Sequence, residues 1–217
     1  IPSQMFNAID SVPLTAIAFF MLTGELMTSA TITDRLVALS RALIGRIRGG
    51  LAQVNVLVSM FFAGMNGSVV ADTATVGALV LPAMKKAGYP AAFSAAVTGV
   101  SSTIGGIIPP SIMMIVLANS TEISIAALFA AGIIPGVLIG VVIMIINHYF
   151  AIKYNFERSD EPFSIRRAGR ELYRSSFALL IPLVLVGSVM GGVASVVEAG
   201  AITVSYTHLR AHETSQH

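Results

Sequence analysis

The stretch GMNGSVVADTATVGALVLPAMKKAGY, Gly64 to Tyr89, decides the fold. Its apolar residues suit a membrane interior. Yet it holds an amide at Asn66, a turn-forming Asn66-Gly67 pair and a carboxylate at Asp72, and it closes on Lys85 and Lys86. It belongs to an apolar run, residues 51–84, that is too long for one crossing and too short for two. The Asn66-Gly67-Ser68 break divides the run into arms of about fifteen residues. Each arm is about 22 Å long as a helix, short of a hydrocarbon core about 30 Å thick. Arg46 and Arg48 precede the run, and Lys85 and Lys86 follow it. Basic flanks on both sides place both ends in the cytoplasm. The run is therefore expected to enter the bilayer, turn near mid-depth and return as a re-entrant helical hairpin.

Composition points the same way. Of 217 residues, 55% are hydrophobic and 11% charged, with a mean hydropathy of +0.82. Soluble domains carry about a quarter charged residues, so the chain is expected to be an all-α polytopic membrane protein embedded in a lipid bilayer. Nineteen Gly and no Trp suit close helix packing in lipid. The absence of Cys excludes disulfides and thiolate metal sites. Basic residues cluster at 35–48, 85–86 and 153–174, as in cytoplasmic loops. The net charge of +2 is small, and no nucleic-acid partner is expected.

Outward from the hairpin, residues 1–32 read as a scaffold transmembrane helix, apolar from Val12 to about Ile32 and holding a structural acid, Glu25. The opening Ile1-Pro2-Ser3-Gln4 has no start methionine or signal pattern, so the stretch reads as internal to a longer protein. In residues 33–50, Leu36, Leu39, Leu43 and Ile47 share one helical sector, opposite Arg35, Arg41, Arg46 and Arg48. That pattern predicts an interfacial amphipathic arm helix. Residues 91–118 form a second interrupted element. Gly105-Gly106 and Pro109-Pro110 cannot sustain a continuous helix there, and an unwound stretch is expected at about 101–111. Such backbone persists at membrane depth only where protein or a watery cavity satisfies it. A span at 125–152, kinked at Pro135-Gly136, completes one half of a transport domain, residues 51–152.

Residues 153–176, with Arg158, Arg166, Arg167, Arg170 and Arg174, read as a charged cytoplasmic linker or arm. Residues 177–204 read as the start of a second repeat, with a span from Phe177 to about Val197 ending near Glu198. The tail 205–217 breaks the pattern. His208 and His212 have the i,i+4 spacing of a metal pair, but HETSQH misses the H-E-x-x-H spacing by one position. YTHLRAHET is similar to translated sequencing adapter, so the tail is read as non-native and is given no function.

Two broken elements in series are the design by which secondary transporters build ion and substrate sites near the bilayer midplane. Asn66, Gly67 and Ser68 supply oxygens at the hairpin tip. Ser102 and Thr103, with the backbone at Gly105, Gly106 and Pro109, supply them at the second break. Oxygen-only ligands suit a hard cation such as Na⁺, and no other cofactor is expected. Asp72, Ser101, Pro110 and Ser111 are candidates beside the substrate or behind the ion ligands. Asp72 also sits where an acid stabilises a helix N-terminus. Asn55 reads as a packing residue, and Lys85 and Lys86 as topology signals. An intramembrane hydrolase would need a Ser–His or metal constellation at depth. The sole His outside the tail is His148, so no enzyme is expected.

GGLAQVNVLVSMFFAGMNGSVVADTATVGALVLPAMKKAGY, FSAAVTGVSSTIGGIIPPS and LFAAGIIPGVLIG together resemble the large, DctM-type membrane subunit of tripartite ATP-independent periplasmic (TRAP) transporters. FFMLTGELM and LVALSRALIGRIRGGLA fit the same family, and GGVASVVEAGAI at 191–202 fits in part. Asn66-Gly67-Ser68 stands where the family usually has Ser-Gly-Ser, and Ala194-Ser195-Val196-Val197 departs from a Phe-Thr-Pro-Thr-like run. The resemblance implies a sodium-coupled, elevator-type importer of small organic acids such as C4-dicarboxylates or sialic acid. It implies a small membrane subunit and a periplasmic substrate-binding protein as partners, and the bacterial inner membrane as location. It also implies inverted repeats, of which this chain matches the first and the opening of the second. The first sodium site would then lie between the tip at Ser68 and the unwound stretch from Ser102 to Pro109. Other readings are another elevator-type anion transporter and a truncated, non-functional fragment.

Overall fold

A computed structural model describes residues 12–29, 32–45, 47–156 and 164–214. Residues 1–11, Arg46 and the segment 157–163 with Arg158 lie outside that description, as do the last three residues of the tail. The described residues form nine α-helices: α1 (Val12–Ser29), α2 (Ile32–Ile44), α3 (Gly50–Asn66), α4 (Val69–Lys86), α5 (Ala91–Ser102), α6 (Ile112–Thr121), α7 (Ile125–Lys153), α8 (Ile165–Met190) and α9 (Val196–Thr214). A 3₁₀ turn, Thr103–Gly106, follows α5.

Helix α3 is the centre of the molecule. Its sequence is apolar on most of its circumference and carries no charge, and such a helix is enclosed. Thirteen of its seventeen residues are buried, and α1, α2, α4, α5, α7 and α8 all pack against it. The core around it includes Val54, Val58, Phe62 and Met65 of α3, with Val76, Val80 and Met84 of α4. Helix α7 is apolar all round but solves the problem differently. Only 28% of its most apolar window is buried, and Ile134, Leu138, Val141, Ile145 and Ile152 point outward. A surface of that kind is stable against lipid or another apolar partner, not against water. Among the described residues it is the one helix long and apolar enough to cross a membrane, and α8 adds a second if its two parts are taken together.

Three elements differ from the sequence expectation. The amphipathic arm ends at Ile44 rather than at residue 50. Gly45 closes the last turn with a bond to the Arg41 carbonyl, and Gly49 turns left-handed (φ 73°) to launch α3. Helix α7 runs unbroken past Pro135 to Lys153, one residue beyond the expected span. The charged segment before residue 177 is helical from Ile165 onward and joins the following span as one bent helix, α8. Its parts, Ile165–Ser176 and Ala178–Met190, meet at 56°. Pro182 explains the position: it lacks the N–H that would bond the Ala178 carbonyl one turn earlier, and its ring crowds that carbonyl. The first part lies on α2, where the Ser175 hydroxyl donates to the Arg35 carbonyl (3.2 Å) and the Arg35 guanidinium to the Arg174 carbonyl (3.4 Å).

Helix α9 folds back on α1 and continues to Thr214, into the segment expected to be foreign; the side chains of His208 and His212 are outside those described. Ser195 and Glu198 form a capping box at its start. The Ser195 N–H donates to the Glu198 carboxylate (2.8 Å) and the Glu198 N–H to the Ser195 hydroxyl (3.3 Å). Ser195→Ala is expected to fray this first turn, read as faster amide exchange at Val197 to Ala199 with the rest of α9 unchanged.

Candidate functional site

The hairpin tip is built from three local choices. Gly67 adopts the left-handed conformation (φ 58°), and its N–H closes the last turn of α3 on the Ala63 carbonyl (3.3 Å). The Asn66 side-chain oxygen accepts from the Ser68 N–H (3.1 Å). The Ser68 hydroxyl accepts from the Ala71 N–H (3.3 Å) and so caps α4. Each of these oxygens keeps acceptor capacity beyond the bond it makes.

The second break is as closely specified. The N–H groups of Ile107 and Ile108 both bond the Ile104 carbonyl at 2.9 Å, ending the 3₁₀ turn. Pro109-Pro110 is a cis peptide. The Ser111 hydroxyl donates to the Gly106 carbonyl (2.8 Å) and accepts from the Met114 N–H (3.4 Å), capping α6.

Tip and break lie against each other. The Gly67 carbonyl accepts from the Ile112 N–H at 3.3 Å. A Cβ added to Gly67 would run into the Pro110 carbonyl, with Ser111 Cα 3.0 Å away. One added to Gly105 would sit 3.6 Å from the Ser68 carbonyl carbon. Asn66, Gly67, Ser68, Gly105, Gly106, Pro110 and Ser111 thus share one place, and the Pro109 carbonyl faces the end of α3 at Gly64. Thr103 does not join them: it is exposed, and its hydroxyl is turned back onto the Val100 carbonyl (2.7 Å).

Ser101, Ser102 and Asp72 lie one turn deeper, between α3, α4 and α5. The Ser101 hydroxyl meets those of Ser59 (3.2 Å) and the Asn55 amide oxygen (3.3 Å), and Asn55 donates to Thr98 (2.7 Å). Asp72 and Ser102 are fully buried. Ser59 and Ser102 face the Asp72 carboxylate, but neither hydroxyl reaches hydrogen-bond geometry with it. Among the described residues, neither Asp72 oxygen nor the Ser102 hydroxyl has a hydrogen-bond partner.

Sequence reasoning passed over Ser59 and Thr98. Their signal is polar residues at i,i+4 on an otherwise apolar helix, Asn55 and Ser59, opposite a second such set on α5. It also passed over Gly132 and Gly140, which with Gly136 form a four-residue repeat on α7. Gly132 lies on the Ile107 carbonyl, Gly136 on Ile108 and Gly140 on Met60. The ridge lets the α7 backbone close over the unwound stretch, which membrane-depth backbone needs. A separate cleft of about 220 Å³, lined by Leu180, Ile181, Val184, Ile202 and Thr203, shares no residue with this site.

A family profile described as the DctM component of tripartite ATP-independent periplasmic transporters matches residues 1–210. The chain belongs to this family. Among DctM-related proteins, it is 38% identical to the sialic acid TRAP transporter permease protein SiaT of Haemophilus influenzae, over 94% of this chain and 33% of that one. It is 35% identical to the C4-dicarboxylate TRAP transporter large permease protein DctM of Pseudomonas aeruginosa, over 94% of this chain and 48% of that one. It is 37% identical to the 2,3-diketo-L-gulonate TRAP transporter large permease protein YiaN of Escherichia coli, over 93% and 47% respectively. The chain thus spans half or less of the length of these relatives. They are named as permeases, not as enzymes, and DctM proteins are components of membrane transporters. The buried polar cluster of this DctM chain is accordingly a candidate transport site, and His148 has no place in it.

Proposed function

We propose that this chain forms one half of the cation and substrate site of a sodium-coupled importer of small organic acids. The observation that carries the reading is the Gly67–Ile112 bond, which holds two unwound segments together inside a helical core. Na⁺ would sit among the oxygens of Asn66, Ser68 and the carbonyls around Gly105 to Pro109, with the carboxylate substrate alongside. The unit from α3 to α7 would carry the site in an elevator movement. The remainder of a longer permease would supply the other half. A small membrane subunit and a periplasmic binding protein would complete the transporter in the bacterial inner membrane. The names of the relatives support a substrate class of sialic acid, C4-dicarboxylates or sugar-derived keto acids.

The test is uptake of a labelled organic acid by proteoliposomes holding the whole transporter. An inward sodium gradient should drive uptake and a potassium gradient should not. Ser68→Ala should raise the sodium concentration for half-maximal uptake by about tenfold, the loss of one ion ligand with about 1.4 kcal/mol of binding. Uptake that ignores sodium would overturn the proposal.

A further inference from the structure

Helices α4 and α7 end in the same way. The Tyr89 N–H reaches back to the Met84 carbonyl (3.1 Å) past a left-handed Gly88 (φ 79°). The Phe156 N–H reaches the Ala151 carbonyl (3.0 Å) past a left-handed Asn155 (φ 51°). In such a Schellman turn the residue after the left-handed one folds back onto its own helix. Here both of those residues are aromatic, and their rings meet with centroids 4.5 Å apart. Phe93, in the first turn of α5, packs on Phe156 (5.2 Å) and on Phe150 of α7 (6.1 Å), and Phe150 stacks on Tyr154 (6.0 Å). The start of α3 joins them, since Gly49 lies on Ala151. One plate of rings thus locks four helix ends together, and two of those ends are the base of the hairpin.

The plate carries charge of one sign. Lys85 and Lys86 occupy the last turn of α4 and Lys153 that of α7, and all three are exposed. The Lys153 ammonium stands 5.8 Å above the Tyr154 ring. Arg48 directly precedes Gly49. Among the described residues, no carboxylate lies within ion-pair distance of any of these four cations. On α3, α4, α5 and α7 the one acid is Asp72, about 20 Å from Lys85 along α4.

The outer face of α7 fixes the depth of the plate. Leu138, Val141, Ile145 and Ile152 are exposed along that helix, and the same stripe runs into Tyr149 and Tyr154, 63% and 56% exposed. Exposed tyrosines at the end of an apolar stripe belong at the level of the lipid headgroups. Lysines at that level extend their stems along apolar surface and their ammonium groups to phosphate. We propose that this end of the molecule is a docking surface for anionic phospholipid. Lys85, Lys86 and Lys153, with Arg48 beside them, hold the headgroups, and the acyl chains lie on the outer face of α7. A zwitterionic lipid brings its own cation and leaves the cluster uncompensated, whereas an anionic headgroup neutralises it. The surface shares no residue with the tip or the break, so it neither rests on the sodium reading nor falls with it.

The chain holds no Trp, so Tyr154→Trp gives a single fluorescent reporter that keeps an aromatic ring at the surface. The variant is reconstituted in bilayers of phosphatidylcholine and phosphatidylglycerol, and its quenching by bromine-tailed forms of each lipid gives their relative binding constant. Each exposed cation near an anionic surface is worth about fivefold in affinity, less where salt screens it. Phosphatidylglycerol should therefore be preferred about tenfold. Ile123→Trp, at the other end of α7, should report no preference, and an equal preference there would overturn a localised surface. Replacing the three lysines together (Lys85→Gln, Lys86→Gln, Lys153→Gln) should bring the Tyr154→Trp value within about twofold of unity. A preference that survives those substitutions overturns the assignment. So does equal quenching by the two lipids, which would leave this face to a protein partner. Inorganic phosphate at matched ionic strength should not displace the lipid; displacement would mean a site for free anions and overturn the lipid surface. Should the triple variant fail to insert, salt decides. At about 1 M, where the Debye length is about 3 Å, the preference should fall below about twofold, and one untouched by salt overturns the surface.

Discussion

Gly67→Ala should destabilise the chain by about 2–4 kcal/mol and remove the sodium response proposed for the tip. Two costs add. An L-residue in the left-handed region costs about 1–2 kcal/mol, and Gly67 has φ 58°. The new methyl would also run into the Pro110 carbonyl. That oxygen is backbone in a stretch fixed by Pro109 and Pro110, so it cannot swing aside as a flexible side chain would. Relief comes only by parting the tip from the break, which gives up the Gly67–Ile112 bond as well. Denaturant titration in detergent micelles measures the first effect, and sodium-dependent thermal shift the second. A loss under about 1 kcal/mol with the sodium shift retained would mean that tip and break are not pressed together.

Gly132→Val should be about as damaging, by about 2–4 kcal/mol, although no polar side chain is altered. A Cβ there would meet the Ile107 carbonyl and the Met114 methyl, with the Met114 sulfur 3.3 Å away. Overpacking of this kind forces backbone apart, and here the backbone is the unwound stretch. Gly99→Ala is the control: nothing lies within 4 Å of its would-be Cβ, and it sits on the exposed side of α5. Alanine is the better helix former, so this variant should gain up to about 1 kcal/mol. Equal losses at Gly132 and Gly99 would show that α7 does not seat on the break.

The parts of this fold that are legible in the sequence are those set by local backbone chemistry. Asn66-Gly67-Ser68 interrupts a helix because an amide, a left-handed residue and a capping hydroxyl follow in order. Gly105-Gly106 and Pro109-Pro110 interrupt one by removing side-chain support and N–H donors. The reading of residues 101–111 as unwound is slightly wide, because Ser101 and Ser102 still belong to α5. Contacts between elements are not legible in this way. Thr103 stands beside Ser102 in sequence, yet helical rotation turns one outward and the other in. Ser59 is marked only by its i,i+4 spacing from Asn55, and its partner Ser101 is visible only once α5 is packed opposite. The arm that was extended to residue 50 shows the reverse error, since a periodic apolar pattern persists across Gly45 while the backbone does not.

The bend in α8 has a mechanical meaning. One segment, Ile165–Ser176, lies along α2, while the other, Ala178–Met190, runs off at 56°. The two hydrogen bonds between Arg35 and the Arg174-Ser175 pair pin the first segment to its neighbour. The helix is thus a bell-crank with its pivot at Phe177. The two limbs are nearly equal in length, and the one fastened to α2 also brings α8 against α3. A single bent helix thus braces both the arm α2 and the helix that ends in the hairpin tip.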